Sequence, residues 1–156
     1  MGRKAILTAI DTQLANITIV NGYNNTLKKH YDGFIDYQKL PGDAFPSTCI
    51  ATGGSNYVPM TAEKYTSGDS IQANDGWIVA TIGYIKADTQ DLISTKIELL
   101  VSDMIKAILA DHHLGLASYV HNITLKSINP YLDLKVNIGI VEITWAVKYD
   151  FEKGSP

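Results

Sequence analysis

Asp111, His112 and His113, with His121 a little further on, form the one cluster in this chain whose residue types suit metal binding or acid–base catalysis. Such chemistry needs imidazoles that converge. Neighbouring residues diverge by about 100° around a helix and point to opposite faces of a strand, so His112 and His113 do not share a face. The i, i+4 histidine pair of a metalloprotease helix is absent. A small metal-dependent hydrolase using His112, His113 and His121 is therefore the enzymatic alternative. The simpler reading puts both imidazoles at a helix end, where the dipole favours positive charge. Gly53-Gly54-Ser55 lacks the Lys-Ser/Thr of a phosphate loop and the GxGxxG of a dinucleotide fold, and reads as a strand-end turn. No serine sits in a GxSxG elbow. Asp32, Asp36 and Asp43 lie in polar turns, where carboxylates are solvated, and Lys28-Lys29-His30 reads as a solvated basic turn. Cys49 is the only cysteine, which excludes an internal disulfide and argues against a thiolate metal cluster. Between Thr48 and Ile50 it reads as a small buried hydrophobe. The expectation is a protein that is not an enzyme, with no catalytic, cofactor or metal residues.

The element that organises the rest runs from Asp88 to Gly115. Ile93, Ile97, Leu100, Val101, Met104, Ile105, Ile108 and Leu109 recur in steps of three and four, which puts one apolar stripe on a helix. Ser94, Glu98, Ser102, Asp103 and Lys106 fall on the opposite face, where water is expected. Asp88 suits the N-cap, Asp91 the first turn, and Gly115 a left-handed close after His112 and His113. An earlier helix spans Arg3 to Ile17, with Ile6, Ile10, Leu14 and Ile17 as its stripe and Leu7 widening it.

Strands fill the remainder. Ile17-Thr-Ile-Val reads as a short strand before the Asn21-Gly22 turn, and Lys29 to Tyr37 as a weak one. Phe45 to Thr52 reads as a strand closed by Gly53-Gly54. Trp77 to Ile85 carries apolar groups at both parities, which predicts a central strand covered on both sides. A strand from Tyr119 to Ile128 is expected to turn at Asn129-Pro130. In the last strand, Leu134 to Phe151, the apolar parity changes, which predicts a β-bulge near Gly139. This order predicts an α+β fold: a single domain, residues 1–156, with a mostly antiparallel mixed sheet and helices packed on it. A tail at 152–156 is expected to fray.

Between Ser55 and Asp75 no periodicity is visible. A loop this long in a compact domain is uncommon and usually functional, a hairpin of short strands being the alternative. Tyr57, Met60, Tyr65 and Ile71 are its isolated apolar groups and the candidate assembly-interface residues, expected to order only against a neighbour.

At 156 residues the chain is one domain by length. A charged fraction of only 19% beside nine tyrosines suits a protein that buries extra surface against partners. A net charge of −3 gives no reason to expect specific nucleic-acid binding. No apolar run is long enough to span a bilayer, and no signal-peptide core opens the chain, so a cytoplasmic origin without membrane partners is expected.

The layout resembles the tail terminator, or tail completion, proteins of long-tailed bacteriophages. The similar pieces are the opening helix from Arg3 to Ile17, Asn21-Gly-Tyr-Asn-Asn-Thr-Leu, and the proline-led Phe45-Pro-Ser-Thr-Cys-Ile-Ala-Thr-Gly. Gly83-Tyr-Ile, the helix reaching Asp111 and the closing Val141-Glu-Ile-Thr-Trp-Ala-Val-Lys-Tyr complete them. The resemblance spans nearly the whole chain through order and spacing, with a longer 55–75 insertion. It implies a structural virion protein at the head–tail junction, assembled in the host cytoplasm. Copies of it would form a homo-oligomeric ring, a hexamer, capping the head-proximal end of the tail tube. Its partners would be itself, the tail tube protein and a head connector or neck protein, with genomic DNA passing through the lumen without specific binding. A neck or connector adaptor is the alternative within the same class.

Overall fold

The computed structural model describes residues 2–52, 76–118 and 120–149. Two helices pack with a five-stranded mixed sheet in one α+β domain, as the sequence pattern predicts. The elements are α1 (Arg3–Ala15), β1 (Lys29–Tyr31), β2 (Ser47–Thr52), β3 (Trp77–Lys86), α2 (Gln90–Leu109), β4 (Val120–Asp133) and β5 (Ile138–Tyr149). A 3-10 turn occupies Tyr37–Lys39. The strand order is β1-β2-β3-β5-β4. The β1–β2 pair is parallel and all other pairs are antiparallel.

Both helices lie on one face of the sheet. Ile6, Ile10 and Leu14 of α1 join Ile93, Ile97, Leu100, Met104 and Ile108 of α2 over Val79, Val141, Ile143, Trp145 and Val147. The approach is close because two sheet positions have no side chain. A Cβ on Gly83 would lie 2.7 Å from Met104 Sδ, and one on Gly139 would lie 2.4 Å from Ile97 Cγ1. The buried Trp145 indole donates to Thr81 Oγ1 at 3.0 Å, so the largest core side chain leaves no orphan donor.

On the other face Cys49, Ala51, Ala80, Ile82, Tyr84, Ile138 and Ile140 form a second cluster. The chain before β2 covers part of it with Tyr31, Ile35, Tyr37, Leu40 and Phe45. Trp77 to Ile85 is buried throughout and central, as its two-sided apolar pattern predicts. Cys49 is buried, as expected of a small hydrophobe, and burial pushes its thiol up.

Several expectations are corrected. The long helix starts after Thr89 rather than at Asp88 and stops at Leu109, well before Gly115. Its end is set by Asp111, whose carboxylate accepts from the backbone N–H groups of His113 (2.9 Å) and Gly115 (2.8 Å) and draws the chain into a turn. Leu114 and Gly115 take positive φ there. In the stripe, Ile105 is only half-buried and Leu109 is exposed. Asp103, expected in water, is 1% exposed. The Ile17–Val20 strand does not form: the Leu27 amide bonds Ile17 O, and turns occupy residues 19–22. Asn129-Pro130 is not a turn, because β4 runs through it to Asp133. Proline is tolerated there since β4 is an edge strand, with no ladder partner required on its outer side.

No bulge marks Gly139. Odd residues of β5 face the helices and even ones the second cluster, without a change of phase. The apparent slip arises because both faces are buried. The register shifts lie instead in β4, between Val120 and Asn122 and between Leu125 and Ser127. The reading of 55–75 as a loop, with Tyr57, Met60, Tyr65 and Ile71, lies outside the described residues, as does the fraying of 152–156.

Candidate functional site

The far half of β4 and the turn into β5 expose apolar groups that a folded monomer does not need in water. Tyr131 is 63% exposed, and Ile128, Leu132, Leu134 and Val136 are also open to solvent. The register places Tyr131 opposite Ile140 and Leu132 opposite Gly139, so these groups lie on both faces of the edge strand. Alternation explains why: beyond the reach of the helices, either parity of β4 meets solvent. Among the described residues, the outer edge of β4 also has no strand partner.

Beside this edge is a groove of about 300 Å³ lined by Phe34, Asp36, Tyr37, Tyr84, Tyr131 and Ile140. Its walls are braced by phenols. Tyr84 Oη donates to Ile35 O at 2.6 Å, and Tyr37 Oη donates to Asp133 Oδ2 at 2.7 Å. The Tyr37 and Tyr84 rings sit 6.0 Å apart, tilted by 44°. The hydrogen bond to Asp133 is the main cause that pushes the Tyr37 phenol up, so it stays protonated and donating. Asp36 holds the following 3-10 turn by accepting from the Gln38 amide at 3.0 Å. The lining is aromatic and apolar, with one carboxylate, a composition that suits binding of an apolar group.

His112, His113 and His121 do not form a group of three converging ligands among the described residues. His112 and His113 stack with ring centroids 4.1 Å apart in the turn after α2, outside its last helical turn. His113 Nδ1 lies 3.0 Å from Val120 O. Asp111 is held below the usual carboxylate range by the His113 and Gly115 amides. His121 is an exposed residue of β4. Among the described residues the group of three potential ligands that does converge is Asp11, His30 and Asp32. His30, read from sequence as part of a solvated basic turn, has a side chain only 6% exposed and meets Asp11 of α1. Burial pushes the Asp11 carboxyl up against the pull of His30.

Asp103 is a second polar site that periodicity missed. Its Oδ1 accepts from Asn24 N (2.8 Å) and Asn24 Nδ2 (3.1 Å), and its Oδ2 from Asn25 N and Nδ2, both at 2.8 Å. Four donors satisfy the buried carboxylate and pin the α1–β1 connection to α2. Nearby, Lys106 Nζ reaches Gly22 O at 2.9 Å and lies over the Tyr23 ring. Nothing in helical spacing marks these contacts. They join residues far apart in sequence.

No family model matches this chain, and no curated protein matches it significantly. Among the described residues no helix is long and apolar enough to cross a membrane.

Proposed function

We propose that this chain is a structural subunit that closes into a ring and caps the head-proximal end of a phage tail tube, as a tail terminator does. The observation that carries the reading is the exposed apolar edge formed by Ile128, Tyr131, Leu132, Leu134 and Val136, beside an aromatic groove. Contiguous apolar exposure at a free strand edge is a hazard for a monomer and a use for an assembling subunit. A patch that meets a different surface on the next copy makes a heterologous contact, and repeated rotation closes that contact into a ring. The ring would stop tube growth and present its other side to the head connector, with DNA passing through the lumen. The resemblance in element order, from the opening helix to the closing strand, supports a phage tail tube as the partner. The groove's lining supports a role in contact.

The test is native mass and particle shape, alone and with tail tubes. Rings in electron micrographs, or end-labelling of tubes, are expected for the full chain. The double substitution Tyr131→Asp and Leu134→Asp should abolish both while leaving the monomer folded. A variant that still closes rings and still caps tubes would overturn the role given to this edge. A wild-type chain that never marks a tube end, and is absent from the head–tail junction, would overturn the function.

A further inference from the structure

Asp11, His30 and Asp32 come from two elements that meet only in the folded chain. Asp11 sits on α1, His30 in the middle of the three-residue strand β1, and Asp32 just after it. One ligand atom from each lies within 4.8 Å of the other two. Asp32 lies in the bend directly after the strand, and α1 lays Asp11 against it and His30. His30 Nε2 is 2.5 Å from Asp11 Oδ1, and His30 Nδ1 is 2.7 Å from the hydroxyl of the fully buried Thr48, its register partner on β2.

We propose that this trio is a binding site for a divalent transition-metal ion, with zinc as the probe. The Thr48 contact already orients the imidazole. A metal would displace the proton that His30 Nε2 shares with Asp11; Nδ1–H would then donate to Thr48 Oγ1, and an outer hydrogen bond of this kind sets tautomer and ring orientation at metal sites. One nitrogen and two carboxylate oxygens form a mixed donor set that zinc accepts, with water in the fourth position. Donors about 2.0–2.1 Å from a tetrahedral ion stand roughly 3.3 Å apart, so Asp11 has to retract from His30 by less than an ångström. Two carboxylates beside one imidazole are a donor set whose oxygen ligands favour a divalent cation. The ion would tie α1 to the shortest strand of the sheet. Its stabilising effect falls on the β1 edge.

The full chain, stripped with a chelator and titrated with zinc chloride alone, tests this. One equivalent should bind, and at a hundredfold excess over the dissociation constant the thermal midpoint should rise by about 5–10 °C. Asp32→Asn, at an exposed position, should keep the zinc-free midpoint and lose the rise. His30→Gln should lose it too. The double variant His112→Ala with His113→Ala should keep it. Absence of saturable binding overturns the site. So does a zinc-induced rise that survives both Asp32→Asn and His30→Gln, or one lost only with His112 and His113. The outcome is independent of ring formation.

Discussion

The two faces of the sheet are built for different ends. Against the helices lie branched and aromatic side chains, and two glycines let α2 come within contact of β3 and β5. Asp103, the one carboxylate buried there among the described residues, has four donors. The opposite face has more small or polar groups: Cys49, Ala51, Ala80, Thr144 and Glu142 around Tyr84 and three isoleucines. It is overlaid by irregular chain, keeps a groove, and passes at β4 into exposed apolar residues. Even its hydroxyls pair among themselves, as Ser127 does with Thr144. The first face holds the subunit together. The second is less densely covered, and on the proposed function it and the β4 edge would meet a neighbour. The difference teaches that burial under the helices and exposure at the groove and edge can be changed separately.

The largest expected effect is on the helix face. Leu100 is fully buried over Gly83, and Leu100→Ala should cost about 2–5 kcal/mol through lost burial and the cavity left behind. Gly139→Ala forces a methyl into Ile97 and should cost about 1–3 kcal/mol. Tyr131→Ser at the contact edge should change monomer stability by no more than about 0.5 kcal/mol. Urea unfolding of the three variants measures the contrast. If Tyr131→Ser costs as much as Leu100→Ala, the division between faces is wrong.

A smaller effect is expected where the helix face becomes polar. Asp103→Ala removes an acceptor shared by four N–H groups, and should cost about 2–3 kcal/mol, since exposed Asn24 recovers water while half-buried Asn25 does so less well. Amide exchange sharpens this: the amides of Asn24 and Asn25 should lose protection in the variant while those of α2 keep theirs. Uniform loss across both segments would mean that the clamp belongs to the global core rather than to one connection.

How much of this was legible in sequence follows from the range of the interactions. Both helices, the central strand and the α+β class could be read because local period reports which side a core lies on. Ile93, Ile97, Leu100, Met104 and Ile108 recur at helical steps whatever they pack against. Two-sided burial defeated the same logic in β5, where apolar residues of both parities mimic a slip. Pro130 mimicked a turn because an edge strand tolerates what a central one cannot. The candidate contact edge was hidden by that misreading, since ending the strand at Ile128 removed Tyr131 and Leu132 from it. Asp103 with Asn24 and Asn25, and Asp11 with His30, are long-range polar pairings with no period at all. Only the closeness of His30 and Asp32 along the chain left a trace.

A further small effect concerns the carboxylate on the second face. Glu142 lies between Ile82 of β3 and Asn129 of β4 in register and is half-buried. Burial pushes its carboxyl above the usual glutamate range, with a hydrogen bond from Asn129 pulling it partly back. The folded state therefore holds this proton more tightly than the unfolded chain. Its contribution to stability is fully present below the ordinary glutamate value and is lost as pH rises through the raised native one. Glu142→Gln should thus be more stable than the wild type near neutrality, by less than about 1 kcal/mol because solvent screens a half-exposed group. Near or below about pH 4 the two should converge. Urea unfolding at both pH values measures this, and equal differences at the two would mean that the carboxylate keeps its water. Asp11, also pushed up, gives a slope of the same sign in both proteins and cancels in the difference. A partner that covers this face would strip Glu142 further and steepen the wild-type slope. The pH difference between wild type and Glu142→Gln should therefore be larger in an assembly that covers this face than in the monomer.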